Sequence, residues 1–150
     1  MSYDRRNIYK INEIMPHIKD QTNKHKIKKE FDGDMIKVSS RRLFLFKVKG
    51  LECVECGIKG SFFAKERHVR AVLQPYHFNL YGFDERGNER MLTKDHIVPK
   101  SKGGSDDLSN LQVMCIKCNG KKADQITLKD ARRNLCTLLT TQKSLKMDGM

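Results

Sequence analysis

At 150 residues the chain has room for one compact domain, since single domains usually run to about 100 to 200 residues. With 38% hydrophobic residues, 32% charged and no Trp, its apolar core must be modest, and no stretch approaches the roughly 18 consecutive apolar residues of a membrane span. The net charge of +12 excludes an acidic, solvating protein and implies a polyanionic partner, because Lys and Arg that neutralise phosphates release condensed counterions.

That charge is uneven. Residues 1 to 50 carry 13 Lys and Arg against 6 Asp and Glu, residues 119 to 150 carry 7 against 3, and residues 51 to 118 only 10 against 9. The flanks therefore supply most of the attraction to nucleic acid. The opening MSYDRRNIYK lacks the apolar core of a signal peptide, which leads us to expect a soluble, cytoplasmic protein with no membrane partner. In a reducing compartment thiols stay free, so paired cysteines suggest metal rather than a disulfide framework.

In chain order, residues 4 to 15 place Ile8, Ile11 and Ile14 on one side of an expected short helix that Pro16 ends. Gln21 to Glu30 is almost wholly polar and basic and reads as an arm or linker. Two short apolar runs within residues 35 to 49, with Leu43 to Val48 rich in strand-forming types, predict a hairpin or a strand leading into the first cysteine pair. Phe62, Phe63, Val69, Val72 and Leu73 are expected to make core contacts before Pro75.

HFNLYGFD and ERMLTKDHIVP flank Glu85 to Asn88, whose Arg-Gly-Asn suits a turn, so they read as paired strands. KSKGGSDDLSN, residues 100 to 110, has the composition of a loop, and Leu111 to Met114 is short and apolar. From Asn119 onward, Ile126, Leu128, Ala131, Leu135, Leu138 and Leu139 recur near helical spacing and predict an amphipathic helix. Cys136 within it is most simply a small core residue.

Cys53 and Cys56 form one CxxC, and Cys115 and Cys118 another. The two-residue gap lets both sulfurs of a tight turn face one ion, and two such turns complete the tetrahedral tetrathiolate that structural Zn²⁺ prefers. A closed shell of four sulfurs leaves no open position for water, so this ion is expected to be structural. It would close a loop of 58 residues between Cys56 and Cys115.

Between the two pairs lies DHIVPKSKGGSDDLSNLQVMCIKCNGKK. Its Asp-His pair followed by Ile-Val-Pro, its Gly-Gly-Ser loop, Ser-Asn-Leu and CxxCN with lysines resemble the HNH nuclease family over about residues 51 to 125. The resemblance implies an α+β fold: a small ββα-metal core stapled by the four-cysteine zinc, with a basic extension over residues 1 to 50 and a helix and tail over 126 to 150.

Hydrolysing a phosphodiester needs a base to activate water, positive charge on the developing oxyanion and help for the departing oxygen. His96 can be the base, since an imidazole changes charge near neutral pH. Asp95 offers the hard oxygen that Mg²⁺ or Mn²⁺ favours, and Asn119 a second one through its amide carbonyl. The resemblance further implies that Asn110 braces the loop and orients the base, and that Lys122 holds a position where relatives carry a basic residue near phosphate. Where many members have a final histidine this chain has Asn119, which shifts the expected ion from Zn²⁺ or Ni²⁺ towards Mg²⁺ or Mn²⁺.

Neighbours on a regular strand face opposite ways, so Asp95 and His96 can serve one site only where the strand ends or twists. The expected function is an endonuclease on duplex DNA, one strand per site, with a homodimer as one route to a double-strand break. The competing reading is a zinc-stabilised nucleic-acid-binding module without activity.

Overall fold

The structure, a computed structural model, describes residues 2–20 and 26–122. In chain order the elements are β1 (Tyr3–Lys10), α1 (Ile11–Ile14), β2 (Lys28–Phe31), β3 (Asp34–Lys37), α2 (Arg41–Lys49), β4 (Gly60–His68), β5 (His77–Phe83), β6 (Glu89–His96), β7 (Leu111–Cys115) and α3 (Ile116–Lys122). The main sheet is antiparallel in the order β1-β4-β5-β6-β7, and β2 pairs with β3 in a separate hairpin. Among the described residues no helix is long and apolar enough to cross a membrane.

β4 to β7 form a meander, each strand beside its sequence neighbour. The expected pairing of HFNLYGF with ERMLTKDH is present, with Phe83 opposite Glu89 and Leu80 opposite Leu92. The turn forms because Asp84 Oδ1 accepts from the backbone N–H groups of Arg86 and Asn88, both at 2.9 Å, an Asx arrangement that folds the backbone on itself. One face of the sheet then buries Phe63, Phe78, Leu80, Leu92, Leu111 and Val113 against Ile14, Leu43, Leu45 and Phe46.

The other face carries Phe62, Ala64, Tyr81 and Met91, with Tyr3 packed on them. It also carries Glu66, fully buried, which accepts hydrogen bonds from Asn79 Nδ2 at 2.7 Å, from the Tyr81 hydroxyl and from Arg5 Nε at 3.0 Å. Burying a carboxylate is tolerable only where donors replace its water, and here three do so. Lys65, also fully buried, reaches the other way, to Asp34 at 2.8 Å and the Phe31 carbonyl at 2.9 Å, which ties the β2–β3 hairpin to the sheet.

Three sequence expectations are corrected here. Residues 3–10 are a strand, with Ile8 exposed, and only Ile11–Ile14 forms the anticipated helix. The half-buried positions are Tyr3, Arg5, Asn7 and Tyr9, so the period of two is carried by amphipathic side chains, not by the isoleucines, and pairing with β4 decides the conformation. β1 thus joins the main sheet, where the reading from sequence places it in an extension.

The anticipated strand at Leu43 to Val48 is helix α2. Ser40 caps it, its side chain accepting from Leu43 N at 3.2 Å, and Gly50 ends it at φ 98, where a side chain would be strained. Strand propensity depends on context, and burying Leu43, Leu45 and Phe46 against the sheet outweighs it. Lastly, Val69, Val72 and Leu73 make no core: all three are exposed, Leu73 at 95%. The expected C-terminal helix, Cys136 and residues 21–25 of the basic arm lie outside the described residues.

Candidate functional site

The four cysteines of the two CxxC pairs come together, their Sγ atoms all within 4.8 Å of one another. The first pair sits on a small hairpin closed by Cys53 N to Ile58 O at 2.9 Å and Gly57 N to Cys53 O at 3.0 Å, and Val54 N donates to Val113 O of β7 at 3.0 Å. The second pair spans the junction of β7 and α3, where Cys118 N points at Cys115 Sγ, 3.4 Å away. Cys56 Sγ and Cys115 Sγ are 3.7 Å apart. Tetrahedral Zn–S bonds of about 2.3 Å place sulfurs about 3.8 Å from each other, so the cluster is compatible with structural zinc.

Electrostatics favour the same conclusion. Burial pushes the Cys53 thiol up, but backbone N–H groups of Cys56, Cys115 and Glu55 outweigh it and bring it to about 7. Cys118 is pushed well up, by burial and then by the neighbouring Cys115 and Cys56. Four crowded sulfurs therefore cannot all ionise unless a cation sits among them. Among the described residues this is the group of His, Cys, Asp or Glu side chains that converges closely enough to hold a metal.

Downstream of β6 the chain makes a tight loop, residues 97–110, before returning as β7. Asn110 holds it: Oδ1 accepts from Val98 N at 2.9 Å, while Nδ2 donates to Val98 O at 3.1 Å and Ser105 O at 2.8 Å. Gly104 is required by the same packing, because a Cβ there would fall 1.7 Å from Val98 O. Gly103 turns the chain at φ 86.

At the end of β6 the candidate metal ligand and the candidate base diverge. Asp95, buried, faces its cross-strand neighbour Gln112, whose Nε2 donates to Oδ2 at 2.8 Å, and Lys122 of α3, whose Nζ donates to the same oxygen at 2.6 Å. The Lys122 ammonium also donates to the main-chain oxygens of His96, at 2.7 Å, and Ile97, at 3.2 Å. Its side chain is 1% exposed. The His96 ring takes a different partner: Nε2 lies 2.8 Å from Asp106 Oδ1, in the loop. Lys100 Nζ approaches the other oxygen of Asp106 at 3.0 Å.

So Asp95 and Lys122 are in direct contact, His96 joins them through its main chain, and Asn110 sets the loop that carries Asp106. Asn119 is half-buried on α3, three residues before Lys122, a spacing that puts two side chains on one side of a helix. Lys122 is not open to a phosphate in this arrangement. Its ammonium stands as a cation on Asp95, which shows that positive charge is accommodated at this carboxylate.

Asp106 and Gln112 were not singled out in the sequence. The register of β6 and β7 points to Gln112, because it falls opposite Asp95, whereas Asp106 has no signal beyond lying in a Gly-rich loop. Hydrogen bonds from His96 and then Lys100 hold the Asp106 carboxyl at about 2, well below the ordinary range. An ionised carboxylate only accepts, so this contact needs the proton on His96 Nε2, the tautomer in which a neutral ring carries its lone pair on Nδ1.

A depressed carboxyl stabilises the fold above its ordinary pKa and loses that contribution as pH falls towards the depressed value. Titrating the Asp106 carboxyl by NMR should therefore give a midpoint near 2 in the wild type. Removing the ring with His96→Ala should bring the midpoint closer to an ordinary aspartate, and an unchanged midpoint would break the pairing.

Residues 84–135, less than half of the chain, match the family model described as HNH endonuclease. No curated protein and no solved structure matches the chain.

Proposed function

With an HNH endonuclease segment as the premise, we propose that the protein is a metal-dependent endonuclease that hydrolyses DNA phosphodiesters, one strand per site. The observation that carries this reading is the His96–Asp106 pair at the end of β6, one residue from a buried carboxylate that already holds a cation. His96 Nδ1 takes the proton of a water as the water oxygen attacks phosphorus, and the imidazolium that forms is stabilised by Asp106. Asn110 keeps that carboxylate in place by fixing the loop, so it positions rather than reacts.

The cysteine clamp is assigned structural Zn²⁺. Asp95, together with Asn119 of α3, is assigned one Mg²⁺ or Mn²⁺, which would neutralise charge on the phosphate and on the departing oxygen. For that ion to bind, Lys122 must yield its place on Asp95.

The test is relaxation of supercoiled plasmid with Mg²⁺ or Mn²⁺. Wild type is expected to nick, and His96→Ala to nick at least about 100-fold more slowly, the usual scale of general-base catalysis. Asp106→Asn is expected to slow nicking by about tenfold, as loss of an orienting partner commonly does. Nicking by His96→Ala at the wild-type rate would refute the assignment of the base.

One observation favours a second reading. Because Lys122 neutralises Asp95 without any ion, the scaffold is also complete as a nucleic-acid-binding module lacking activity. That reading predicts salt-sensitive plasmid binding by wild type and His96→Ala alike, with no metal-dependent product from either.

A further inference from the structure

The connection between β4 and β5, residues 69–75, exposes three apolar side chains in the short stretch VRAVLQP. Leu73 is 95% exposed, Val72 63% and Val69 47%. Single exposed apolar residues are ordinary, and a floppy loop would need no explanation. This loop is held rigidly.

Ala71 N donates to His68 O and Gln74 N to Ala71 O, both at 2.9 Å, and Val69 N donates to Ser2 O at 3.2 Å. Arg67 reaches back under the tip, donating to Val72 O at 2.9 Å and Gln74 O at 3.4 Å. The same guanidinium lies 4.5 Å from the centre of the Tyr76 ring, whose opposite contact is Arg6, also at 4.5 Å. These hydrogen bonds tie down the backbone of the tip while Leu73 stands almost wholly in solvent. Presenting a leucine in this way forgoes the stabilisation that burial would bring, without the entropy a mobile loop retains.

Its position supplies the second part of the argument. β4 and β5 turn at the same end of the sheet as β6 and β7, since His77 begins β5 and pairs with Glu66 while His96 ends β6 and pairs with Leu111. The two hairpins are adjacent in the strand order, so their tips lie at the same end of the sheet, beyond the Leu80–Leu92 pair where the β5–β6 ladder stops. One tip bears Val72, Leu73 and the exposed Arg70; the other bears His96, Lys100 and Lys102.

We propose that residues 69–75 form a wedge for duplex DNA, with Leu73 inserting at a base step beside the phosphodiester that His96 would address, Val72 packing behind it and Arg70 on the flanking phosphate. Apolar side chains inserted this way unstack a step and kink the duplex, which brings more backbone against a basic surface. The rigid frame is what such insertion requires, because the ordering cost is met before binding. The proposal rests on the endonuclease reading for its ligand.

The test uses the full chain with a duplex carrying 2-aminopurine, whose fluorescence rises when it unstacks, in buffer with Ca²⁺ in place of Mg²⁺ to separate binding from cutting. Wild type at saturation is expected to raise the emission. Leu73→Ala should abolish the rise and weaken binding by about tenfold, the scale of one buried aliphatic side chain. Leu73→Met should retain both effects. Because the position is almost wholly exposed, folding is expected to be unaffected, which thermal unfolding checks.

Binding by wild type without any rise, at every 2-aminopurine position in the duplex, overturns the wedge and leaves the endonuclease reading standing. No binding at all overturns both. If Leu73→Ala instead changes only the sedimentation of the protein alone, the tip is a contact between copies and the wedge is wrong.

Discussion

Removing the ion from the four thiols with a strong zinc chelator is expected to unfold the protein, not merely to slow it. The clamp joins the hairpin around Cys53 and Cys56 to the β7–α3 junction across a closed loop of 58 residues. It also fixes the start of α3, which carries Lys122 to Asp95. Structural zinc in small peptides contributes roughly 10 to 16 kcal/mol, as large as the net stability of a whole domain. Without it, buried thiols crowd one another and the modest core is left to offset the chain entropy.

Circular dichroism should show loss of the native spectrum on chelation, with one ion released per chain, and recovery when zinc is restored under reducing conditions. Cys115→Ser should behave like the chelated protein, since Cys115 is fully buried at the centre of the clamp. A chelated protein that keeps a cooperative thermal transition at its original temperature would show that the ion is dispensable and that the core suffices.

Replacing Lys122 with Met should be the most damaging change outside the clamp. It deletes the ammonium from a buried carboxylate and from two main-chain oxygens, leaving Asp95 with Gln112 as its remaining described donor. Breaking a buried pair by removing one partner costs about 3 to 5 kcal/mol, because a charge stays behind without compensation. The change should appear as a lower urea midpoint with little change in slope.

Two further arms identify the cause. Asp95→Asn combined with Lys122→Met should recover much of the loss, since no buried charge then remains. Added Mg²⁺ should raise the midpoint of Lys122→Met more than that of wild type, because the proposed ion no longer competes with an ammonium for Asp95. If Lys122→Met loses less than about 1 kcal/mol, the carboxylate is solvated in solution and the buried pair is not what holds α3.

The chemistry-bearing region was legible in the sequence for a physical reason. Metal ligation and turn formation are local demands, so two CxxC pairs, the Arg-Gly-Asn turn and the Gly-Gly loop announce themselves at fixed spacings. β5 and β6 follow from that punctuation. The N-terminal part was misread because its conformations are decided by partners far along the chain. Ile8 faces water on β1, and Leu43 to Phe46 form a helix because a sheet made by later residues offers a surface to cover.

Side-chain partners were the least legible. Composition cannot say that Lys122 turns inward to Asp95 instead of outward to phosphate, nor that Asp106 instead of Asp107 meets His96. Leu73 was taken as core because leucine usually is. Only the hydrogen bonds that close its loop show that it is held outward.

The two rims of the main sheet are unequal towards strand addition. On one, β1 slips register between Arg5 and Asn7, a bulge that disturbs docking of another strand. On the other, the outward carbonyls of β7 are already taken, Val113 by the N–H of Val54 and Leu111 by the ammonium of Lys49 at 2.6 Å. Among the described residues, a second copy of the chain therefore meets a bulged rim on one side and two occupied carbonyls on the other, so growth of one continuous sheet across copies is opposed at both.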